Sequence, residues 1–440
     1  MLPPSPQEPS AIEELRAEWP SLGLDERLEA FERLPRDAAA IFFQELPSHE
    51  QAELVLAMPE GERYLWLRLL APDDTADLLQ EVEPEQRQGL IPLLDSVTQK
   101  EVTALLAYKE DEAGGLMSPR FARVRPDMTV EEAISYLRRQ SRHLETIYYV
   151  YVLDSQQRLL GVVSFRELLS APAGRPVSSI MQEDVIAVPE SLDQEAVAQL
   201  FRQHGFLALP VVDESGRVQG IVTSDDIVDV LHEEATEDIQ KIGGMEALDT
   251  PYLRTPFFDM VRKRGGWLTF LFFGGTLTAS AMGYFEAELS RAVVLALFLP
   301  LIIASGGNAG AQATTLVIRA MALGEVRLGD WWRVVRREFL SGLALGLLLA
   351  CVAMVWVTVW EFAFGLYGEH FLLVGLSVAI SLVGVVTWGT LAGSTLPFAL
   401  RRLNLDPASA SAPFVATLVD VAGVLIYFTV ARWVLAGTLL

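Results

Sequence analysis

The chain has 440 residues, too many for one compact core, and its average of 51% hydrophobic residues hides two unlike halves. Nine acidic residues and nine arginines, with no lysine, follow Gly266; that half is neutral, and the whole formal charge of −23 sits on the first 266 residues. Such a polyanion excludes nucleic acid as a natural partner, because binding phosphates takes Lys and Arg to displace counterions, and the single cysteine, Cys351, excludes a disulfide framework or a thiolate metal site.

The start, Met-Leu-Pro-Pro-Ser-Pro, carries neither a basic nor an apolar leader pattern, so it reads as a cytosolic beginning with a disordered leader over residues 1–20. Prolines then recur at Pro35, Pro47, Pro59, Pro72 and Pro84, spaced 12, 12, 13 and 12, each shortly after Leu34, Leu46, Met58, Leu70 or Val82. Proline suits the first turn of a helix. Each unit therefore reads as a short helix with an apolar cluster such as Ile41-Phe42-Phe43, and together they predict an all-α solenoid-like domain over 21–112. Lys109-Glu-Asp-Glu-Ala-Gly-Gly115 reads as a hinge of charge and glycine.

A second repeat fills 113–232. Leu116-Met-Ser-Pro followed by Val124-Arg-Pro-Asp-Met-Thr-Val-Glu-Glu-Ala133 is echoed by Ile180-Met-Gln-Glu followed by Val188-Pro-Glu-Ser-Leu-Asp-Gln-Glu-Ala196. Each copy continues with a helix and two β-rich runs, Ile147–Leu153 with Leu159–Val163, then Leu207–Val212 with Val218–Val222, and closes in a helix at Glu167 or Asp226. This tandem β-α-β-β-α order resembles a pair of CBS modules, most recognisably in Gly220-Ile-Val-Thr-Ser-Asp-Asp226. An acidic run over 225–240 follows, with Asp226, Asp229, Glu233 or Glu234, and Glu237 on one helix face. Residues 233–262 form an acidic linking helix and linker.

Residues 263–440 predict an α-helical membrane domain of five spans: Trp267–Phe285, Ala292–Ile318, Phe339–Trp360, Phe371–Leu400 and Ala408–Ala431. Arg262, Lys263 and Arg264, then Arg319, Arg327, Arg333, Arg336 and Arg337, then Arg401 and Arg402 all fall on one side; the opposite loops carry Glu286, Glu288, Glu361 and Glu369 with one Arg291. The positive-inside rule makes the first half cytosolic and the C-terminus external.

From Ala408 to Ala431 the only charged side chain is Asp420. A charge at mid-bilayer costs at least about 2.5 to 3.5 kcal/mol, so it reads as an ion-pathway residue facing protein, water or an ion. The alternative is a carboxyl kept protonated or hydrogen-bonded for structural reasons. In the second span, Pro300, Gly306, Gly307 and Gly310 with Asn308 and Gln312 on one face read as freed carbonyls and amides beside a wet cavity; close helix packing through small residues is the competing reading. Thr387, Thr390, Ser394 and Thr395 add hydroxyls. These are hard oxygen ligands, which suit Mg2+, Ca2+ or Mn2+, and one carboxylate per chain is enough for a Mg2+ that keeps its water.

Taken with Lys109–Met117, Glu145-Thr-Ile-Tyr-Tyr149, Glu234-Ala-Thr-Glu-Asp238, Gly306–Gln312 and Pro413–Asp420, the chain resembles the MgtE family of magnesium channels over nearly its whole length. The resemblance implies a homodimer with Mg2+ passing between subunits, past Asp420 and the Ala416 carbonyl, with Gly307, Asn308 and Gln312 beside the path. It implies an acidic helix acting as a plug, and Mg2+-sensing carboxylates at Asp73, Asp193, Glu195, Asp226, Asp229, Glu234, Glu237 and Asp238; Ile41 and Gly205 stand where further acidic ligands are expected. The CBS resemblance adds an adenine nucleotide such as ATP at Tyr149, Arg166 and Glu167, against a purely structural CBS dimer. The resulting expectation is a Mg2+-selective, Mg2+-gated channel of the bacterial inner membrane; the alternatives are a broader Co2+, Ni2+ or Mn2+ pathway and a non-conducting membrane-anchored sensor. An enzyme is not expected, because the sequence offers no nucleophile and base, no phosphate loop and no His cluster.

Overall fold

The computed structural model describes residues 8–248, 252, 253 and 255–439, and the chain divides into two compact units, Met1–His232 and Glu233–Leu440. In the first, part of the stretch expected to be a disordered leader is helical: α1 is Glu8–Glu18, and Trp19 just after it is buried. Then come α2 Leu24–Glu32, α3 Arg36–Glu45, α4 Ser48–Ala57, α5 Glu60–Leu67, α6 Pro72–Gln80, α7 Pro84–Leu90 and α8 Ser96–Leu105. The proline rhythm sets these starts. Pro35, Pro47 and Pro59 occupy the caps of α3, α4 and α5, and Pro72 and Pro84 are the first residues of α6 and α7, where no N–H is needed. Phe31, Phe42, Phe43, Leu54, Leu78 and Leu79 form the core, with the Trp66 ring 4.8 Å from Phe31, whereas Ile41 is exposed.

The expected hinge at Lys109–Gly115 is instead packed. Ala113 and Gly114 of α9 (Ala113–Leu116) donate their N–H groups to the carbonyls of Leu192 and Glu190 at 2.7 and 2.8 Å. A Cβ on Gly114 would stand 2.5 Å from the Tyr108 ring, so glycine is there for close approach, not for freedom.

The two modules that follow are near copies. The first comprises β1 Arg123–Val124, α10 Val130–Gln140, β2 Tyr149–Leu153, β3 Leu159–Ser164 and α11 Phe165–Ser170; the second comprises β4 Val188–Pro189, α12 Gln194–His204, β5 Ala208–Val212, β6 Val218–Thr223 and α13 Ser224–Ile242. In each sheet the short strand pairs parallel with the next, which pairs antiparallel with the third, and the register slips after Val152 and after Val211 alike. Phe121, Tyr151 and Leu153 of one copy bury against Ala208, Val218 and Ile221 of the other. The acidic run is no separate helix. It continues the second module's closing helix without a break, and the boundary expected at 232/233, where the two compact units also divide, lies within α13.

The second unit carries α14 Phe257–Tyr284, α15 Glu286–Arg291, α16 Val294–Ala322, α17 Trp331–Phe364, α18 Phe371–Arg402 and α19 Ala412–Val434. Among the described residues four helices are long and apolar enough to cross a membrane, Val294–Ala322, Leu328–Phe364, Phe371–Arg402 and Ala412–Val434. The remaining expected span, Trp267–Phe285, lies, up to Tyr284, in α14, a 28-residue helix whose apolar content Gly274, Gly275, Thr276, Thr278 and Ser280 dilute. The expected opening of the second span also gives way to a continuous α16. Its glycines serve packing: Gly306 and Gly310 lie directly against Gly389 and Gly393 of α18, backbone on backbone. Pro397 in α18 cannot bond the carbonyl of Gly393. The buried Thr314 hydroxyl of α16 reaches that carbonyl at 3.0 Å while also lying 2.9 Å from the Gly310 carbonyl.

Candidate ion pathway and carboxylate cluster

α19 begins at Ser411, whose hydroxyl accepts the Phe414 N–H and so caps the helix, with Pro413 in the first turn. Nine residues on, Asp420 is half-buried, and among the described residues its carboxylate has neither a hydrogen bond nor an ion pair. One face of α19, Val415, Val419, Gly423 and Val424, is buried in the bundle core with Ile302 and Val385. Beside that face, Gly307 of α16 approaches Ala416 and Asp420: a Cβ there would lie 3.4 Å from the Ala416 Cβ and 3.6 Å from Asp420 Oδ1. The structure therefore gathers Gly307, Ala416 and Asp420. Asn308 and Gln312, also expected near the path, are exposed on the single chain.

In the first unit the carboxylates crowd where α6 meets the modules. Buried Asp73 accepts the Ser118 hydroxyl at 3.2 Å, and Glu145 stands 3.2 Å from the same hydroxyl, whose one proton serves only one of them at a time. Burial raises Asp73 well above the ordinary carboxylate range, with the charges of Glu145, Asp74 and Asp226 adding to it. Glu145 is raised by burial and then by Asp74. Asp226 rises to about 7, through burial and the charges of Asp225 and Glu145, against the lowering effect of the Thr223 hydroxyl at 2.6 Å.

Of the expected sensing residues, then, Asp73 and Asp226 are brought together, and Asp229 joins them through its repulsion of Asp74. Asp193 instead caps α12, accepting the Glu195 N–H, and the Glu195 carboxylate takes Gln199. Glu237 pairs with Lys241. Glu234 and Asp238 lie on the same helix. Among the described residues no three Asp, Glu, His or Cys side chains converge as a metal site. Sequence reasoning left out Asp74, Glu145 and Asp225. Glu145 sits inside Glu145-Thr-Ile-Tyr-Tyr149, a stretch already singled out for the family resemblance.

At the expected nucleotide position, Ser164 caps α11, and Glu167 in the first turn accepts the Ser164 N–H and hydroxyl at 3.0 and 2.7 Å. Tyr149 is partly buried opposite Ser164, and Arg166 is exposed.

The second unit adds a contact that sequence did not announce. Lys241, near the end of α13, donates to Asp406 at 2.7 Å as well as pairing with Glu237. Partial burial opposes its charge, yet these two partners hold its pKa above the ordinary lysine range.

An apolar helical bundle with an internal carboxylate, Asp420, on a chain whose other unit concentrates unneutralised acid, has the makings of a membrane protein that handles cations. Comparison with known proteins gives the class: residues 299–430 match the MgtE family of divalent cation transporters, residues 11–111 the MgtE intracellular N domain, and 113–174 and 177–233 the CBS domain. A magnesium transporter MgtE of Thermus thermophilus is 43% identical over 426 residues, 96% of this chain and 93% of that one. Its counterpart in Bacillus subtilis is 34% identical, covering 88% and 92%. A solved cytosolic domain of the Mg2+ channel MgtE in complex with ATP is 44% identical and covers 50% of this chain and 90% of that one, with a TM-score of 0.47. The chain belongs to the MgtE family.

Proposed function

We propose that this protein carries Mg2+ across a bacterial membrane through a path at Asp420, the Ala416 carbonyl and Gly307, with Asn308 and Gln312 at its edge. The observation that carries the reading is an unpaired carboxylate beside a glycine inside an apolar bundle. A hydrated Mg2+ needs little more than one or two carboxylates, because it keeps most of its water. Two copies of the chain would place two such carboxylates across the path, and a homodimer fits the exposed Asn308 and Gln312. In this reading α14 supplies a fifth span, the Arg-rich loops and residues 1–262 are cytosolic, and the C-terminus is external. Its domains are 21–112, 113–232, the acidic helix and linker 233–262, and the membrane domain 263–440.

The reading extends to regulation. Asp73, Asp74, Glu145 and Asp226 repel one another, Asp229 repels Asp74, and carboxylate oxygens of this kind suit Mg2+. Cytosolic Mg2+ bound there, and at Asp193, Glu195, Glu234, Glu237 and Asp238, would compact the acidic half and close the path as a population shift. Tyr149 and Arg166 are the residues left to hold an adenine nucleotide.

The test is Mg2+ uptake by proteoliposomes at varied internal Mg2+, with Co2+, Ni2+ and Mn2+ as competitors. Asp420→Ala is expected to abolish selective uptake while the protein still folds. Uptake unchanged by that substitution would remove Asp420 from the pathway, whereas a parent protein that takes up no Mg2+ would favour a membrane-anchored sensor.

A further inference from the structure

We propose that Lys241 and Trp267 are positioning residues that fasten the end of the acidic helix to the first turn of α19, and so set how readily the path closes. The inference rests on the transport reading above. Four contacts within the second unit carry it.

Lys241 donates to Asp406 Oδ2 at 2.7 Å, and Asp406 Oδ1 accepts the Ala408 N–H at 2.8 Å, so one carboxylate both receives the ammonium and shapes the turn leading into α19. Ile242 packs against Ile318, Ala408 and Ala410, the last two fully buried. Gly244, at a φ of 77°, lies under Trp267 and Pro413, where a Cβ would stand 2.8 Å from the indole nitrogen and 3.1 Å from the proline ring. Trp267 Nε1 donates to the Ser411 hydroxyl at 3.1 Å, the same hydroxyl that caps α19, and its ring stacks beside Phe270 and Phe414. Lys241, Ile242, Gly244 and Trp267 each have a partner on the segment from Asp406 to Phe414, directly before the turns that carry Ala416 and Asp420.

Lys241 is shared. Its ammonium pairs with Glu237, one turn back on its own helix, and with Asp406. A divalent cation that takes up Glu237 neutralises that competitor and leaves Lys241 to Asp406, which tightens the fastening. This supplies a sign: internal Mg2+ strengthens the hold on α19, and loss of the hold makes closure harder.

The experiment measures the internal Mg2+ concentration that half-closes the full-length protein in proteoliposomes, for Lys241→Met, Asp406→Asn and the double variant. Asn at 406 keeps an acceptor for Ala408 while removing the charge. Each single variant is expected to raise the half-closing concentration about tenfold, in the range typical of coupling between two sites, and the double variant is expected to raise it no further. Lys241→Arg should close like the parent, and uptake at low internal Mg2+ and its dependence on Asp420 should stay unchanged in all. A half-closing concentration that stays or falls, or singles whose effects simply add, overturns the proposal. Failure of the transport reading is distinguishable, because the parent protein would then take up no Mg2+ at all.

Discussion

Thr314 illustrates how one hydroxyl can serve a carbonyl that its own helix leaves without a donor. Pro397 leaves the Gly393 carbonyl without its helical donor, and Thr314 reaches across from α16 to supply one. Thr314→Val keeps the shape and removes the proton, so it is expected to cost about 1 to 3 kcal/mol, the penalty of a buried acceptor left unmade. Thermal unfolding in detergent measures this, and Thr314→Ser should recover most of the loss. At this scale the sequence was legible where chemistry is anomalous in its local setting. Asp420 stands out because no other side chain from Ala408 to Ala431 is charged, and the structure places Ala416 and Gly307 beside it. Asp74 and Asp225 gave no such contrast, being acids beside acids, and Glu145 is an ordinary polar residue between a basic stretch and a strand. Their significance comes from a meeting of segments some 70 to 150 residues apart, which no local pattern records.

Among the helices, glycine has two meanings that look identical in one dimension. Gly389 and Gly275 both sit inside long apolar helices, yet a Cβ at 389 would run into the Gly306 carbonyl, while nothing lies within 4 Å of one at 275. Gly389→Ala is therefore expected to destabilise by about 1 to 3 kcal/mol through overpacking against backbone. Gly275→Ala should be neutral or stabilise by up to about 1 kcal/mol through helix propensity. Comparing the two unfolding temperatures in the same detergent checks the pair. The same ambiguity explains why the Gly306–Gly310 region read as an opened helix: proline and glycine mark a break or a tight contact equally well, and only the neighbour, α18, decides. The proline rhythm of the first domain was easier, because fixed φ at a helix start is a local property. The two-residue strands β1 and β4 were not located, being too short to carry any periodicity.

For the molecule as a whole, the lopsided charge is the dominant fact, and its energetic sign follows from the raised carboxyls. Asp226, at about 7 against 3.8 unfolded, holds a proton in the folded state over a window where the unfolded chain has lost it. Its stabilisation is therefore complete below about pH 3.8 and is lost as pH rises through about 7, and Asp73 and Glu145 act in the same direction. Without divalent cations, the unfolding transition of the first unit should fall in temperature between about pH 5 and pH 7.5, and added Mg2+ should raise it more at the higher pH than at the lower; calorimetry on the full-length protein tests both.

Two helices welded by glycine on glycine and stitched by one threonine cannot slide past each other without breaking backbone contacts. α16 and α18 consequently behave as a fixed wall. The stretch of α16 that carries Gly307 past Ala416 and Asp420 is therefore held in a fixed place by its grip on α18.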